Sequence, residues 1–196
     1  MVTPLGRAFF DRPAGEVAPD LLGCLLLHDD VGGVIVEVER YEEHDAASHS
    51  HRGPRGRAAV MFGDPGRVYV YRSYGMHWCA NLVCDAAGRG SAILLRALRP
   101  THGLERMRAR RAGRPDRELC AGPGRLTQAL GIDDALDGGW AVPGPDGRHD
   151  LVLLPREEEV LVSRGPRIGI TKDTHRTWRY AVAGSPWLSR PMAVTA

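Results

Sequence analysis

The sequence predicts an α+β fold, a single domain built on an antiparallel β-sheet. A chain of 196 residues suits one domain with a sizeable core. Apolar, β-branched runs come in pairs around turn residues, which predicts hairpins and therefore antiparallel strands. These hairpins come before and after a helical middle, and no repeat or linker divides the chain. We therefore expect one domain over residues 1–196.

The first half of the chain predicts a short helix and two hairpins. Residues 13–22 suggest a loop that leads into the helix. The runs at 24–28 and 33–41 are separated by DDVGG, and those at 67–72 and 76–84 by Ser73-Tyr74-Gly75. Between the hairpins, residues 42–57 are polar and predict a long loop, a kind of segment that is often functional.

The second half of the chain predicts two helices and further strands. Residues 92–98 suggest a strand, which is followed by a basic helix over 103–111. A second helix is predicted over 125–130, entered through AGPG. A surface loop, GGWAVPGPDGRHD, comes next. Short strands are then predicted at 151–154, 160–162, 167–171 and 179–182.

The composition limits the class of protein. Apolar residues make up 43% of the chain, which is typical of a soluble globular protein. No apolar run approaches the roughly 20 residues of a membrane span, and the N-terminus lacks a signal-peptide layout. The cysteines show no CxxC pairing and no zinc-type spacing, so we expect reduced, mostly buried thiols. These observations indicate a cytoplasmic protein without membrane contact.

Arginine carries nearly all of the positive charge, since Lys172 is the only lysine and the net charge is +2. Two arginine-rich segments allow two interpretations. They form either solvated faces or phosphate-binding surfaces, on which guanidinium groups grip oxygens in pairs. The first segment contains Arg52, Arg55 and Arg57, and the second contains Arg96, Arg99, Arg106, Arg108, Arg110, Arg111, Arg114, Arg117 and Arg125.

The strand sequence VIVEVERY, residues 34–41, contains two carboxylates. Because side chains alternate across a strand, Ile35, Glu37, Glu39 and Tyr41 should share one face. The pattern alone favours a solvent-exposed face, but the apolar neighbours Ile35 and Tyr41 argue against it. A carboxylate in a half-apolar setting can act as a general base or stabilise a nearby cation.

The hairpin sequence VYVYRSYGMHWCAN is rich in aromatic residues. Tyr69 and Tyr71 should share one strand face, and Tyr74 precedes Gly75 at the tip. Tyr74 is either a partly packed surface residue or a wedge that enters a base stack. Aromatic residues among arginines suit the stacking of bases. Asn81 could supply a directional hydrogen bond in a pocket.

The loop at 42–57 contains His44, His49 and His51 near acidic residues, which raises the question of a metal site. Their spacing matches no established metal motif, so we favour a single histidine that hydrogen-bonds or stacks on a ligand, and we expect no cofactor. Backbone N–H groups in AGPGR, residues 121–125, could hold a phosphate at the start of a helix. This evidence is weak alone, since glycine–proline turns open many helices.

Taken together, these segments resemble the 3-methyladenine (alkyladenine) DNA glycosylase family. They keep the family's order over nearly the whole chain, and the blocks YVYxxYGM–N and VEVExY are specific to it. The matching strings are APDLLG, VEVERY, DAASHS, MFGDPGRVYVYRSYGMHWCAN, ILLRAL, RELCAGPGRLTQAL and RYAVAGSPWLS.

The resemblance implies a single mixed domain with a curved, mainly antiparallel sheet, a protruding hairpin and surrounding helices, but no helix-hairpin-helix. It also implies a metal-independent, monofunctional DNA glycosylase of base excision repair. Such an enzyme flips alkylated purines, such as 3-methyladenine and 7-methylguanine, out of duplex DNA. It hydrolyses the N-glycosidic bond and leaves an abasic site; whether hypoxanthine and ethenoadenine are substrates is open. We expect a cytoplasmic, nucleoid-associated monomer.

The resemblance also implies roles for single residues. Glu39 resembles the water-activating carboxylate, Arg96 the residue that orients it, and Tyr74 the intercalating wedge. Asn81 resembles the floor residue that crowds the exocyclic amine of guanine, and Ile168 a main-chain contact. The implied base pocket contains Tyr41, His49, Tyr71, Asn81 and Ile168. The residues implied at the DNA backbone are Arg57, Gly75, Met76, His77, Gly124 and Arg125.

The sequence departs from the family pattern at two places. Arg55-Gly56-Arg57-Ala58 stands where the family usually has Thr-Pro-Arg-Asn, which leaves the local DNA contacts open. Arg40 replaces a small residue, but it should point to the other strand face, with little effect on the base pocket. Two other functions compete with the glycosylase: a non-catalytic lesion-binding protein of the same fold, and a metallohydrolase that uses the histidine loop.

Overall fold

The computed structural model describes residues 2–192, which form one curled β-sheet with helices packed around it. Three short 3-10 helices, His49–Arg52, Gly56–Phe62 and Asp134–Leu136, lie in the connections. The α-helices are α1 (Arg7–Phe10), α2 (Ala14–Leu21), α3 (Leu104–Arg110), α4 (Asp116–Leu119) and α5 (Pro123–Leu130). The strands are β1 (Leu25–His28), β2 (Val31–Tyr41), β3 (Val68–Ser73), β4 (His77–Val83), β5 (Ala92–His102), β6 (Val152–Leu154), β7 (Val162–Gly165) and β8 (Arg179–Val182).

The strands of this sheet pair antiparallel, which confirms the predicted α+β class. The main path runs β3-β4-β5-β2-β1-β6, and β8 pairs with both β2 and β7. Strand β2 is central, because β5 lies along one edge while β1 and then β8 lie along the other. The carboxylates of β2 are not on a wet face, because Arg96, the Ile168 backbone and Ser189 cover Glu37 and Glu39, which are both 0% exposed.

Both predicted hairpins are present. The turn between β1 and β2 is Asp29–Asp30, with φ of 48° and 60°, as a two-residue hairpin turn with both central residues in the left-handed region requires. At the tip of the β3–β4 hairpin, Tyr74 and Gly75 also have positive φ. This tip protrudes from the sheet, and Tyr74 is 84% exposed.

Strand β2 departs from strict alternation near its centre. Its pairing with β5 shifts between Ile35 and Glu37 and again between Glu37 and Val38. Ile35 and Val38 both pack into the main core, whereas Val36 packs in a separate small cluster. The prediction that Ile35 shares a face with Glu37 and Glu39 is therefore wrong. A β-bulge inserts one residue into the strand and turns over the side chains that follow it.

The main core lies between the sheet and the helices. Helix α2 packs on β2, and α5 packs on β4 and β5. Leu21, Leu26, Leu82, Ile93 and Leu126 are fully buried there. The four cysteines are buried and unpaired, as predicted. No helix within residues 2–192 is long and apolar enough to cross a membrane.

Several predicted helices and strands differ from the observed ones, and the short helices α1 and α4 were not predicted. Helix α5 begins at Pro123, two residues earlier than predicted, since proline suits the first helical position. The loop at 42–57 contains 3-10 turns, and β7 begins at Val162, two residues after the start of the strand predicted at 160–162. The predicted strand at 167–171 is wrong. The Ile168 N–H donates to a carboxylate instead of a strand, and Gly169 has a φ of 78°.

Much of the arginine-rich segment after β5 is engaged within the protein. Arg108 makes a bidentate pair with Asp116, at 2.9 and 2.8 Å. Arg110 donates to the Ala129 carbonyl at 3.1 Å, and Arg117 donates to the Leu188 carbonyl at 2.9 Å. These guanidinium groups hold α3 and α4 against neighbouring segments, so the segment is not one uniform phosphate-binding surface.

Candidate active site

A cavity of about 480 Å³ opens beside the β3–β4 hairpin. Parts of β2, β3, β4 and β5, the segments around residues 47–49 and 168–170, and the first residue of α5 surround it. Its volume is ordinary for a small-molecule site, for which about 300–1,000 Å³ is usual. The structure brings the six predicted pocket and arginine residues together on its wall: Tyr41, His49, Tyr71, Asn81, Arg96 and Ile168.

Glu39 lies behind this wall and has no exposed surface. Its Oε1 accepts a hydrogen bond from the Ile168 N–H at 2.8 Å, and Arg96 Nη1 is 3.3 Å away. Its Oε2 accepts a hydrogen bond from the Tyr41 hydroxyl at 2.8 Å. Burial raises the pKa of Glu39, although Arg96, the Ile168 N–H and the Tyr41 hydroxyl oppose that rise. The carboxylate is therefore held by three residues that themselves line the cavity.

Glu37 is equally buried but differently surrounded. Its Oε1 accepts from Arg96 Nε at 2.9 Å, from Arg179 Nε at 2.8 Å and from the Ser189 hydroxyl at 2.7 Å. Its Oε2 accepts from the Ser189 N–H at 2.6 Å. Glu37 therefore joins β2 to β5, β8 and the C-terminal segment. Arg96 contacts both carboxylates, which confirms that Glu37 and Glu39 share one side of β2.

Three aromatic rings form one wall of the cavity. Tyr69 and Tyr71 stack with their centroids 5.6 Å apart, and His49 contacts Tyr71 edge-on at 4.5 Å. His49 Nδ1 lies 2.8 Å from the Tyr69 hydroxyl. Desolvation lowers the pKa of His49, which favours a neutral ring near pH 7. The sequence assigned no role to Tyr69. The predicted strand face that it shares with Tyr71 was the signal that could have identified it as a residue of this wall.

Asn81 lines the cavity and is almost fully buried. Its Nδ2 donates to the Tyr69 carbonyl at 3.0 Å, across the β3–β4 pair. This hydrogen bond fixes the orientation of the amide, because only the nitrogen can donate to a carbonyl. The Asn81 side chain is therefore held in one orientation on the cavity wall.

The three histidines of the loop have different partners. His44 stacks edge-on against Trp178 and pairs with Glu42, whereas His51 Nδ1 is 3.3 Å from the Glu43 carbonyl. His49 faces the tyrosines of the cavity. Across residues 2–192, no three side chains of histidine, cysteine, aspartate or glutamate are grouped so that they could hold a metal ion.

Comparison with known proteins supplies the family. The family model described as methylpurine-DNA glycosylase matches residues 8–186. The chain belongs to this family. It is therefore a DNA glycosylase, a hydrolase of N-glycosidic bonds that serves DNA repair. A relative from Nitrobacter winogradskyi is 53% identical over 96% of this chain and 88% of its own length. Another, from Bradyrhizobium diazoefficiens, is 52% identical over 96% of this chain and 92% of its own. Each carries the name "Putative 3-methyladenine DNA glycosylase".

The hairpin of the glycosylase places two large apolar side chains in solvent beside the cavity. Tyr74, at its mouth, is 84% exposed and Met76 is 68% exposed. Gly75, between them, has a φ of 67°. His77 follows at the start of β4 and lies against Gly124, whose added Cβ would come within 2.8 Å of the His77 Cβ. The hairpin and the start of α5 thus meet closely, and the exposed Arg125 lies next to this junction.

A second groove adjoins the cavity and shares Ala47, His49 and Tyr69 with it. Its remaining wall is strongly cationic. Arg57 donates through Nη1 to the Val70 carbonyl at 3.1 Å, which ties this groove to β3. The basic side chains that line it are His51, Arg52, Arg55, Arg57 and Lys172.

Proposed function

We propose that this glycosylase flips an alkylated purine out of duplex DNA into the 480 Å³ cavity and hydrolyses its N-glycosidic bond. Glu39 activates the water, and the product is an intact abasic site. The substrates are 3-methyladenine, in line with the names of the relatives, and 7-methylguanine, which the family resemblance implies. The observation that carries the proposal is a buried carboxylate held by Ile168, Tyr41 and Arg96 directly behind an aromatic cavity.

Lone-pair accounting supports Glu39 over Glu37 as the base. A carboxylate has about four acceptor positions. Glu37 already accepts four hydrogen bonds, from Arg96, Arg179 and Ser189, and Arg179 and Ser189 lie outside the cavity lining. Glu39 accepts two hydrogen bonds in addition to its ion pair with Arg96, and its Oε2 keeps a free position. When the substrate binds, Oε2 of Glu39 becomes accessible from the cavity, and the attacking water binds there.

The spacing of the rings indicates how the base stacks. His49 and Tyr71 touch at 4.5 Å, which leaves no room for a base between them. The base therefore inserts between this pair on one side and Tyr41 on the other. A cationic purine gains about 0.5–2 kcal/mol from electron-rich rings. A neutral His49 adds no repulsion to that cation.

The leaving group decides which lesions are easiest to excise. A cationic alkylpurine is neutralised when its bond to the sugar breaks, so it leaves without protonation. The negative charge of Glu39 stabilises the oxocarbenium-like sugar, as the carboxylates of sugar hydrolases do. Burial raises the pKa values of Tyr41 and Tyr71, so these hydroxyls hold their protons tightly, and burial lowers the pKa of His49, so its ring carries no extra proton to give to a neutral leaving base.

Tyr74 acts as the wedge in the DNA, and the reaction leaves the DNA strand unbroken. Extrusion of a base costs roughly a few kcal/mol, which the Tyr74 ring offsets by filling the vacated stack. Lyase chemistry needs an amine nucleophile, and Lys172 lines the outer groove rather than the base cavity. One chain supplies every residue of this site, so we propose that the monomer acts on duplex DNA.

The test is base release from a duplex that contains 7-methylguanine, measured with enzyme in excess. We expect Glu39→Gln to lower the rate by about 10²- to 10⁴-fold, because a general base contributes that much. Glu43→Gln is the control, since Glu43 lies outside the cavity lining. For the wild type, the DNA strand should break only after alkali treatment. Undiminished release by Glu39→Gln would contradict the proposal, and binding without release by the wild type would favour a lesion-binding protein.

A further inference from the structure

A fully buried ion pair lies behind the cavity and outside its lining. The side chains of Asp45 and Arg167 are both 0% exposed. Arg167 Nη2 donates to Asp45 Oδ1 at 2.9 Å, and Nη1 donates to Asp45 Oδ2 and to the Arg40 carbonyl at 3.1 Å. The guanidinium thus grips one carboxylate with both terminal nitrogens and the backbone of β2 with one of them.

This pair joins three segments that bring residues to the cavity. Asp45 Oδ1 accepts from the Ala47 N–H at 3.0 Å and so begins the turn that leads to His49. Arg167 precedes Ile168, whose N–H donates to Glu39. The Arg40 carbonyl belongs to the residue between Glu39 and Tyr41.

Arg167 also covers the Tyr41 ring. Its Cζ lies 4.5 Å from the ring centroid. Tyr41 lines the cavity and Arg167 does not, so the guanidinium occupies the face turned away from the cavity. Trp178 lies 5.2 Å from the same guanidinium and closes the stack from outside. The ring is therefore fixed from behind, while its free face remains open to the base.

A buried ion pair is weak evidence for a contribution to stability, since apolar residues of the same volume often serve as well. Arg167 Nε is also buried without a hydrogen-bond partner in the described part of the chain. What this pair does supply is fixed geometry, and sites for chemistry need supporting residues that lock the groups at the reaction centre.

We propose that Asp45 and Arg167 form a positioning pair for base excision, which holds the Ile168 N–H on Glu39, the Tyr41 ring on the base and the turn that carries His49. This inference rests on the proposed function, in which Glu39 is the base. It adds two residues that touch neither the water nor the purine.

The pair should influence the ionisation of Glu39 through Ile168. The Ile168 N–H lowers the pKa of Glu39, so a displaced Ile168 raises it. As the pH falls, Glu39 then becomes protonated sooner and activity is lost at a higher pH. The titratable or charged groups that face Glu39 from the surrounding segments are Glu37, Tyr41, Tyr71, Cys79, Arg96 and Arg167.

The experiment is the pH profile of single-turnover excision of 7-methylguanine by wild type, Arg167→Gln and Arg167→Lys. For Arg167→Gln we expect a rate about 10- to 100-fold lower, because a small misplacement of catalytic groups reduces the rate by that order. We also expect the acid limb of the profile, where the rate falls as the pH decreases, to move to higher pH. Arg167→Lys keeps the charge and one hydrogen bond, so it should recover part of the rate and reverse part of the shift in the acid limb. Asp116→Asn is the control, because it breaks an exposed bidentate pair with Arg108 and should change neither.

The acid limb decides the result. Arg167 is itself a positive charge near Glu39, and Arg167→Lys keeps that charge. An upward shift that the lysine only partly reverses supports the positioning role, whereas an unmoved limb, or a limb that the lysine restores completely, overturns it, whatever the loss of rate. Thermal melting checks the fold. If Arg167→Gln does not fold, the acid limbs of Arg167→Lys and Asp45→Asn are compared with that of the wild type instead. Normal activity of Glu39→Gln would instead refute the proposed function, whereas an inactive Glu39→Gln with an unmoved limb would refute only the pair.

Discussion

At the scale of single residues, Glu37 and Glu39 show how two carboxylates on one strand take different parts. Arg179, Ser189 and Arg96 surround Glu37 with donors and fix it in place. Glu39 is held by the residues of the cavity wall and keeps an acceptor position free. The difference comes from the neighbours and not from the strand, since both side chains are fully buried.

The hydroxyl of Tyr41 should tune Glu39 separately from the stacking of the ring. Tyr41→Phe keeps the ring and removes the hydrogen bond to Oε2 of 2.8 Å. A hydrogen bond to a charged group contributes about 1.5–3 kcal/mol, and this one lowers the pKa of Glu39, so the pKa should rise when the hydroxyl is removed. Glu39 must be ionised to act, so activity should be lost at a higher pH as the solution is acidified.

The measurement for Tyr41→Phe is the pH profile of the single-turnover rate, together with the affinity for lesion DNA, which should stay unchanged. Tyr71→Phe is the matched control, because it also removes the hydroxyl of a ring on the cavity wall, and that hydroxyl lies near Cys79, whereas the Tyr41 hydroxyl donates to Glu39. Equal acid limbs for Tyr41→Phe and the wild type would show that the hydroxyl does not act on Glu39.

Glu37 should contribute mainly to the free energy of unfolding. Glu37→Gln leaves the guanidinium groups of Arg96 and Arg179 with less compensating charge in a buried site. Removal of one partner of a buried ion pair costs about 3–5 kcal/mol, so the free energy of unfolding in urea should fall by that order. Glu159→Gln breaks an exposed pair with Arg156 and should change it by less than about 1 kcal/mol. Equal stability of both variants would contradict this account.

The sequence indicates some of these residues better than others. Glu39 and Tyr41 lie in one short strand, so alternation and family pattern both point to them. The partners that define Glu37 are 142 and 152 residues away, and Asp45 is 122 residues from Arg167. Such pairs depend on the tertiary fold, and no local pattern in the sequence indicates them.

At the scale of elements, alternation succeeds where a strand is regular and fails where it is not. Strand β3 pairs with β4 without a shift, and Tyr69 and Tyr71 share a face as predicted. Strand β2 contains a bulge, so Ile35 lies on the core side. Residues 167–171 have the apolar alternation of a strand, but their backbone serves Glu39 and the turn at Gly169.

The β3–β4 tip should act through the Tyr74 ring. Stacking of a base on an aromatic side chain is worth about 1–3 kcal/mol, so Tyr74→Ala should slow single-turnover excision by about ten- to a hundredfold. The fold should be unaffected, because Tyr74 is 84% exposed. Leu161→Ala removes another exposed apolar side chain, 82% exposed and outside the cavity lining, and should leave the rate unchanged. An unchanged rate for Tyr74→Ala would exclude the wedge.

At the scale of the whole molecule, a net charge of +2 hides two different arginine populations. In the segment after β5, Arg108, Arg110 and Arg117 are engaged with acidic or carbonyl oxygens of the protein. In the groove beside the cavity, Arg52 and Arg55 are exposed side chains. The sequence showed both segments as runs of like charge and could not separate them, because the distinction depends on which oxygens the fold brings near.

The groove should therefore contribute more to DNA affinity than the longer arginine segment does. Each phosphate contact releases counterions and adds about 0.9 to the slope of log affinity against log salt concentration. Arg55→Ala should lower that slope by about one for an undamaged duplex, measured by fluorescence anisotropy from low to moderate salt. Arg108→Ala should leave it unchanged, since Arg108 is already paired with Asp116. A slope lowered equally by both substitutions would mean that the DNA also covers α3, and a slope unchanged by Arg55→Ala would remove the groove from the DNA path.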